Sequence, residues 1–313
     1  MKAEKMAKKK MRTFERNRLL FYILMSAIPI LQFCVFYIYV KFNSVVISFQ
    51  KFRLEDAGYI KEFVRFENFK WAWGTFTTNG EMIGRSLIVF ALNLFVVLGC
   101  ALVFSYYIAK RYSWSGFYRL ILFLPQIIPG IALALLYKYL VTDCWMVVNE
   151  KFFGKVVPGL LESDIKTKFI TLLVYNIWIG FGTNVVMLTS SMSAINPSVV
   201  ESAQLDGVNA VQEFFYIYVP LIYPTIVTFI VVSLSGIFTN DLKMFNFFSG
   251  SGGMGYPETF GYYFYRMTYK SDFYGTSVTY SQLSALGLLF TAILIAIILP
   301  LRKALLKYGP STD

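Results

Sequence analysis

The sequence predicts an all-α integral membrane protein with six transmembrane helices. Of its 313 residues, 57% are hydrophobic and only 15% are charged, whereas soluble domains are about a quarter charged. The apolar residues gather in six long segments that are nearly free of charge, as membrane-spanning helices require. Barrel strands would instead alternate over shorter runs. One membrane domain is sufficient for a chain of this length.

The six spans follow from the about 20 apolar residues that a helix needs to cross the hydrocarbon. The first span follows a basic segment, as the apolar core of a signal peptide does. Its apolar run is too long for such a core, and no A-x-A-like cleavage site is seen. We therefore expect a basic N-terminal segment, 1–19, a transmembrane domain, 20–302, and a tail, 303–313. The predicted spans are 20–42, 86–109, 117–140, 169–192, 219–240 and 281–301.

The distribution of Lys and Arg predicts that both ends of the chain are cytoplasmic. Residues 2–18 carry eight basic and two acidic residues, and the 110–119 loop and the tail are also basic. The segments predicted to be inside carry 14 basic and six acidic residues, against 15 and 12 for the remainder. This excess follows the positive-inside rule. The loops 43–85, 141–168 and 241–280 are then outside.

Composition excludes several classes of function. The chain has no His, so the usual general base, Ser-His triads and most zinc sites are excluded. Cys34, Cys100 and Cys144 have no metal or disulfide spacing and are interpreted as packing residues. The net charge of +11 is attributed to topology and lipid rather than nucleic acid. The spans lack carboxylates before Asp241, which argues against a membrane-embedded enzyme and an ion-coupled transporter.

The loop after the fourth span is acidic although it is predicted to be inside. In "ESAQLDGVNAVQEFFYIYVP", residues 201–220, there are three acidic residues and no basic one. The start of its first helix is predicted at Asn196 with Pro197 in the first turn, and Ser198 with Glu201 also fits a capping box. Gly207 is typical of a helix end.

A second short helix follows in the same loop, which extends over about 196–218. Asn209 can cap it, with Gln212 three residues on. Its apolar stripe is predicted at Val211, Phe214, Phe215 and Tyr218. A hairpin lying on lipid would call for basic residues, so the acidic face and the small residues around it favour docking of another protein.

This stretch resembles the EAA loop of ABC-importer permeases, whose usual form is E-A-A-x-x-D-G-A with a later I-x-L-P. Ser202 and Val208 replace two alanines of that form. The resemblance extends to "FYRLILFLPQIIPG" and to "SGGMGYPET", which is similar to an extracytoplasmic S-G-G-P loop with Met254 at the usual Pro. It is strongest for the maltose-type and polysaccharide-type sugar permeases. The matching residues are Glu201, Ala203, Asp206, Gly207 and Pro220.

The resemblance implies a type I importer fold and a multi-subunit machine in the bacterial cytoplasmic membrane. Two permeases, usually different chains, would pair above two ATPase subunits, and an extracellular binding protein would deliver the solute. ATP and Mg would be used by the ATPase, because this chain has no Walker motif and is expected to bind no cofactor or metal and to be no enzyme. The EAA hairpin would couple the ATPase to the spans through Glu201, Ser202, Ala203, Asp206 and Gly207.

Polar residues inside the spans are candidates for the substrate path, since they are costly in lipid and tend to face a cavity or a partner helix. The residue pattern leaves helix packing as an equal alternative, and the resemblance favours a sugar path. The solute is expected to be a carbohydrate, in particular an oligosaccharide; a glycerophosphodiester or a peptide is the alternative. Tyr137 or Phe238 can cover the apolar side of a sugar ring. The candidates are Asn176, Gly180, Thr183, Ser233, Ile237, Asn240 and Tyr137.

Overall fold

The computed structural model describes residues 2–55, 58–248, 255–270 and 279–310, and nearly all regular structure in them is helical. In the described residues, four π-helical turns interrupt the helices, at Cys34–Tyr39, Asn93–Val97, Leu140–Cys144 and Phe214–Tyr218. The helices are α1 Lys2–Phe33, α2 Val40–Ser48, α3 Glu67–Thr78, α4 Gly80–Leu92, α5 Leu98–Ala109, α6 Ser115–Ile127, α7 Gly130–Tyr139, α8 Trp145–Phe153, α9 Ile165–Ser193, α10 Pro197–Leu205, α11 Ala210–Glu213, α12 Val219–Leu221, α13 Tyr223–Ser235, α14 Met244–Phe248, α15 Phe260–Lys270 and α16 Tyr280–Tyr308.

The chain divides into two compact units, of which the first comprises Met1–Ala72 and Thr279–Leu288. Its α1 and α2 form a candidate span, Asn17–Ser48, whose most apolar window contains no residue buried within the chain. The strands β1 Gln50–Glu55 and β2 Gly58–Phe63 follow as an antiparallel pair, with Gln50 opposite Phe63. Sequence reasoning treated this region as an outside loop and did not anticipate the hairpin.

The amide of Asn68 joins this hairpin to the helices on either side of it. Its nitrogen donates to the carbonyl oxygens of Ser48 at 2.8 Å and Gln50 at 2.9 Å. Asn68 is buried, so these bonds pair its amide with the backbone carbonyls where α2 passes into β1.

The second unit comprises Trp73–Val278 and Leu289–Asp313. Its candidate spans are Gly80–Ala109, Gly130–Phe153 and Ile165–Ser193, together with a broken pair, Ala210–Leu221 and Tyr223–Ser235, bent by 72°. The span Tyr280–Tyr308 belongs to both units. Helices long and apolar enough to cross a membrane therefore number five in the described chain, or six if the bent pair is one span.

The third span differs from the prediction of 117–140. The helix breaks at Ile128, which is extended with ψ of 136°, and a new helix starts at Gly130 and continues to Phe153. Pro129 accounts for the break, because the residue before a proline is forced out of the helical region. Part of the predicted outside loop 141–168 is thus helical.

The fifth span also differs from the continuous helix predicted over 219–240. It bends at Ile222 and the helix after the bend ends at Ser235. Pro220 and Pro224 flank the bend and lack the N–H groups that a continuous helix would use there.

Helix α9 is the central element of the second unit, packing along both α5 and α6. Asp164 caps its start by accepting from the backbone N–H of Lys166 and Thr167, and the Thr167 hydroxyl donates to it, which lowers the pKa of that carboxyl. Gly182 lets α6 approach closely, since a side chain there would meet the Leu122 carbonyl group. The buried apolar core of the unit lies on both sides of this crossing.

Candidate functional site

The acidic loop forms the predicted pair of short helices. Asn196 caps α10 through the backbone N–H of Ser198 at 3.1 Å, and Pro197 is at its first position. The Ser198–Glu201 capping box is not used, because Asn196 already starts the helix. Gly207 ends it with φ of +79°, a conformation that residues with a Cβ rarely adopt.

The start of α11 is a full capping box. The Asn209 side chain accepts from the Gln212 N–H at 2.9 Å, and the Gln212 side chain accepts from the Asn209 N–H at 3.0 Å. Both helices of this segment (residues 196–218), which we call the coupling hairpin after the role that the resemblance predicts for it, therefore form from signals within the segment itself.

The residues that the resemblance assigned to coupling are accessible. Glu201, Ser202, Asp206 and Gly207 are exposed, and Ala203 is partly buried. Sequence reasoning missed a neighbour of these residues: Leu205, the last residue of α10, is 89% exposed. A leucine between small and charged residues of a loop was the available signal. The coupling role of the five residues stays a prediction.

The third acidic residue of the loop does not contribute to an acidic surface as the sequence suggested. Glu213 is only 3% exposed, and its carboxylate is 2.8 Å from the Lys110 ammonium at the end of α5. The side-chain nitrogen of Gln204 donates to the same carboxylate at 3.2 Å. A charge can be buried at this depth because it is paired and hydrogen-bonded.

The apolar stripe predicted for the second helix is divided between two faces. Phe214 and Tyr218 are buried against Tyr106 of α5, with ring centroids 5.3 and 5.0 Å away. Val211 and Phe215 are exposed. The π-helical turn at Phe214–Tyr218 changes the angular spacing that an ideal α-helix would give to these four residues.

A groove with a volume of about 570 Å³ opens between α9, α13 and the start of α5. Two of the predicted path residues, Thr183 and Ser233, line it together. Hydroxyl and amide groups stand among apolar side chains there, so the groove can hydrogen-bond a neutral polar solute. The lining residues are Leu98, Thr183, Asn184, Met187, Pro224, Thr225, Thr228, Phe229, Val232 and Ser233.

Asn176 and Gly180 are placed on the face of α9 that meets the second span. The Asn176 amide donates to the Asn93 side-chain oxygen at 2.9 Å, and a Cβ at Gly180 would contact Val97 at 3.5 Å. Both partners belong to the π-helical turn Asn93–Val97. These contacts are helix packing, the alternative that the sequence pattern left open, and neither residue is among those that line the groove.

The other path candidates also lie away from the groove. The Tyr137 hydroxyl donates to the Thr171 carbonyl oxygen at 2.8 Å, and its ring packs in the core. Ile237 is buried, and Asn240 is partly buried, accepting from the Leu242 N–H at 2.9 Å. Their part in a substrate path stays a prediction.

A second polar cluster surrounds the start of α15. Glu258 is 1% exposed and forms two contacts with the Arg266 guanidinium, at 2.8 and 3.0 Å. Burial and the Glu258 carboxylate raise the pKa of Tyr262 to about 12. The Gly-rich stretch before this cluster, including Met254, lies outside the described residues.

Five helices of membrane-spanning character in the described residues, or six if the bent pair is one span, together with a capped hairpin and a groove beside it, are the features of a membrane transport component. The sequence profile of the family described as "Binding-protein-dependent transport system inner membrane component" matches residues 98–306. This match covers the hairpin, the groove and most of the spans, and the chain belongs to that family. Its members are ABC transporter permease subunits and not enzymes.

Curated relatives of known name support this assignment. The chain is 29% identical over 44% of its length to "Probable ABC transporter permease protein MG188" of Mycoplasma genitalium. It is 26% identical to the probable permease YesP of Bacillus subtilis over 79% of each chain. It is 23% identical to "Multiple sugar-binding transport system permease protein MsmF" of Streptococcus mutans, over 79% of this chain and 84% of that one. The chain spans less than half the length of the mycoplasma relatives.

Solved structures show the same fold. A chain of a bacterial ABC transporter involved in the import of the acidic polysaccharide alginate is similar over 95% of this chain and 98% of its own, with a TM-score of 0.72 and 19% identity. A chain of the alginate ABC transporter in complex with its alginate pentasaccharide-bound periplasmic protein gives a TM-score of 0.67 over 92% and 94% of the two chains, at 18% identity.

Proposed function

We propose that this chain is one permease subunit of an ATP-driven importer and forms half of a translocation path for a carbohydrate of oligosaccharide size. The observation that carries the proposal is the family match over residues 98–306, which covers both the coupling hairpin and the groove. The matched region then contains both a segment on which an ATPase subunit could act and a polar groove that could hold a solute.

The coupling hairpin supports the ATP-driven part of the proposal. The exposed Leu205 and the small and acidic residues around it are suited to the cleft of a partner subunit. An exposed apolar side chain gains free energy when a partner covers it, about 25 cal/mol per Å². We infer that an ATPase subunit docks here, and that a second permease and an extracellular binding protein complete the complex.

The groove supports a neutral polyol as the solute. Its polar lining consists of hydroxyls and one amide, and a charged side chain is not among the lining residues. Such groups can both donate to and accept from sugar hydroxyls. The name of one relative, a multiple sugar-binding transport permease, agrees with this chemistry. The structural neighbours belong to a transporter of alginate, an acidic polysaccharide, and so support a carbohydrate but not its neutrality.

The hairpin is proposed to be cytoplasmic, as are both ends of the chain, in a bacterial cytoplasmic membrane. The support is the excess of Lys and Arg in the N-terminal segment, the 110–119 loop and the tail. This orientation places the groove's neighbouring hairpin on the side where ATP is available.

Uptake measurements in cells that produce the chain with its partner permease, ATPase and binding protein test the proposal. Labelled maltotriose and alginate oligosaccharides are compared with glycerophosphocholine and a tripeptide. We expect ATP-dependent uptake of a carbohydrate. Uptake of the phosphodiester or the peptide alone would show that the solute class is wrong.

The groove is tested by Thr183→Trp, which fills it with a bulky ring. We expect carbohydrate uptake to fall by about tenfold or more, with no change in the sugar affinity of the binding protein; tenfold corresponds to about 1.4 kcal/mol. Val174→Trp is the matched control, because Val174 is exposed on the same helix and does not line the groove. Equal uptake by the two variants would place the path elsewhere.

A further inference from the structure

The carboxylate of Glu213 connects three helices of the second unit. Lys110, directly after α5, is 2.8 Å away from one carboxylate oxygen. Gln204, in α10, donates to the other oxygen at 3.2 Å. Glu213 itself is the last residue of α11. The side chain of Lys110 is 14% exposed and that of Glu213 is 4% exposed, so the pair is shielded from water and salt.

Aromatic contacts fix the same junction from the other side. The Tyr106 hydroxyl donates to the carbonyl oxygen of Ala210 at 3.1 Å, and its ring packs edge-on against Phe214 and Tyr218. The end of α5 and the start of α11 therefore meet through packing that does not need the charges. Stability of the junction alone could be supplied by apolar residues of similar volume, since buried ion pairs are often replaceable without loss.

Unlike this aromatic packing, the ion pair is also connected to α10. Among the described hydrogen bonds, Gln204 to Glu213 joins the side chains of the two hairpin helices, and Glu213 passes the connection to Lys110. Helix α5 in turn packs along α9, whose Thr183 lines the groove. A polar connection thus leads from the exposed α10 to the end of α5, and helix packing continues it to α9 beside the groove.

We propose that Glu213 is a positioning residue that couples displacement of α10 to α5 through Gln204 and Lys110. The inference rests on the proposed function, because it assumes that an ATPase subunit moves α10. A push on α10 is then transmitted to the second span through the Gln204 hydrogen bond and the shielded Lys110 ion pair, which both end on the Glu213 carboxylate.

The experiment compares three variants in the complete transport complex: the double variant Lys110→Met with Glu213→Met, the exchange Lys110→Glu with Glu213→Lys, and the control Arg111→Met, exposed and next in sequence to Lys110. Carbohydrate uptake and ATP hydrolysis are measured together. For the double Met variant, we expect solute transported per ATP to fall about tenfold, the factor of a 1.4 kcal/mol coupling loss. We expect the exchange to recover most of this ratio and Arg111→Met to leave it unchanged.

The ratio separates coupling from a structural role. If the ion pair only holds the fold, the double Met variant keeps the wild-type ratio, because its apolar pair packs in the same space; that result would overturn the inference. A wild-type complex that takes up no carbohydrate would contradict the proposed function instead. The two failures are therefore distinguishable.

A cross-link provides a second measurement that does not depend on how well the Met variant assembles. In a background without the native cysteines, Lys110→Cys and Glu213→Cys are joined by a short thiol-reactive cross-linker. We expect cross-linking to leave the uptake of this double Cys variant at its level before cross-linking, since α5 and α11 move together. Loss of uptake on cross-linking, or failure of the two cysteines to cross-link, would show that these elements separate and that the inference is wrong.

Discussion

Replacement of Gly182 by Ala tests the crossing of α6 and α9 that organises the second unit. A Cβ at this position would stand 3.1 Å from the Leu122 carbonyl carbon and 3.2 Å from the Phe123 Cα, and closer still to the Leu122 oxygen. Carbon pairs are at their best separation at about 3.5–4.0 Å. All three obstructing atoms belong to the backbone of α6, so no side chain can rotate away and the helix itself must shift.

The magnitude follows from comparison with Gly180→Ala in the same helix. A Cβ at Gly180 would have only Val97 nearby, at 3.5 Å, which is an ordinary contact. Both substitutions gain about 1 kcal/mol of helix propensity, so this term cancels between them. The clash remains, and overpacking of this kind costs about 1–3 kcal/mol. At about 2–4 °C per kcal/mol, Gly182→Ala should have a melting temperature from a few to about ten degrees below that of Gly180→Ala.

Thermal unfolding of the two purified variants in the same detergent measures this difference, with the wild type as reference. We expect Gly180→Ala to melt at or slightly above the wild-type temperature and Gly182→Ala below it. Equal melting temperatures for the two variants would refute the close approach of α6 to Gly182.

Gly207→Pro and Glu201→Lys should each abolish uptake while the protein still reaches the membrane, because proline cannot adopt the φ of +79° at the hairpin turn and lysine reverses the charge of the exposed face; normal uptake by both, with the ATPase assembled, would contradict the coupling role. In a background without native cysteines, Asn209→Cys should resist labelling of whole cells by an impermeant reagent, and strong labelling would reverse the orientation. Glu258→Gln should destabilise the chain by about 3–5 kcal/mol, since it leaves the partly buried Arg266 guanidinium without its ionic partner; an unchanged melting temperature would show that the pair contributes nothing.

The coupling hairpin could be predicted in detail because its instructions are local. The cap at Asn196, the stop at Gly207 and the capping box at Asn209 each involve residues within a few positions, and the structure shows all three. The spans were predictable for a related reason: length and apolar content alone decide whether a helix can cross the membrane. The breaks within the spans were harder to predict, although Pro129 indicates the break before Gly130.

The spacing of polar residues within the spans did not determine whether they line a cavity or pack against another helix. The sequence pattern places Asn176 and Thr183 on the same face of α9. In the structure, Asn176 donates a hydrogen bond to the Asn93 side chain, whereas Thr183 lines the groove. Helix packing and cavity lining place the same residue types at the same spacing, and only the neighbouring helix decides between them.

The sequence by itself determined the membrane class, the number of apolar segments to within one and the conformation of the hairpin, because these depend on composition and on contacts between close neighbours. Tertiary structure decided that Glu213 is buried rather than part of an acidic surface. Its partner Lys110 lies in a different loop, and a charge is stable in the interior only where the fold brings an opposite charge to it. The sequence pattern does not indicate that the Lys110 ammonium and the Glu213 carboxylate lie close together; the packing of α11 against the end of α5 brings them into contact.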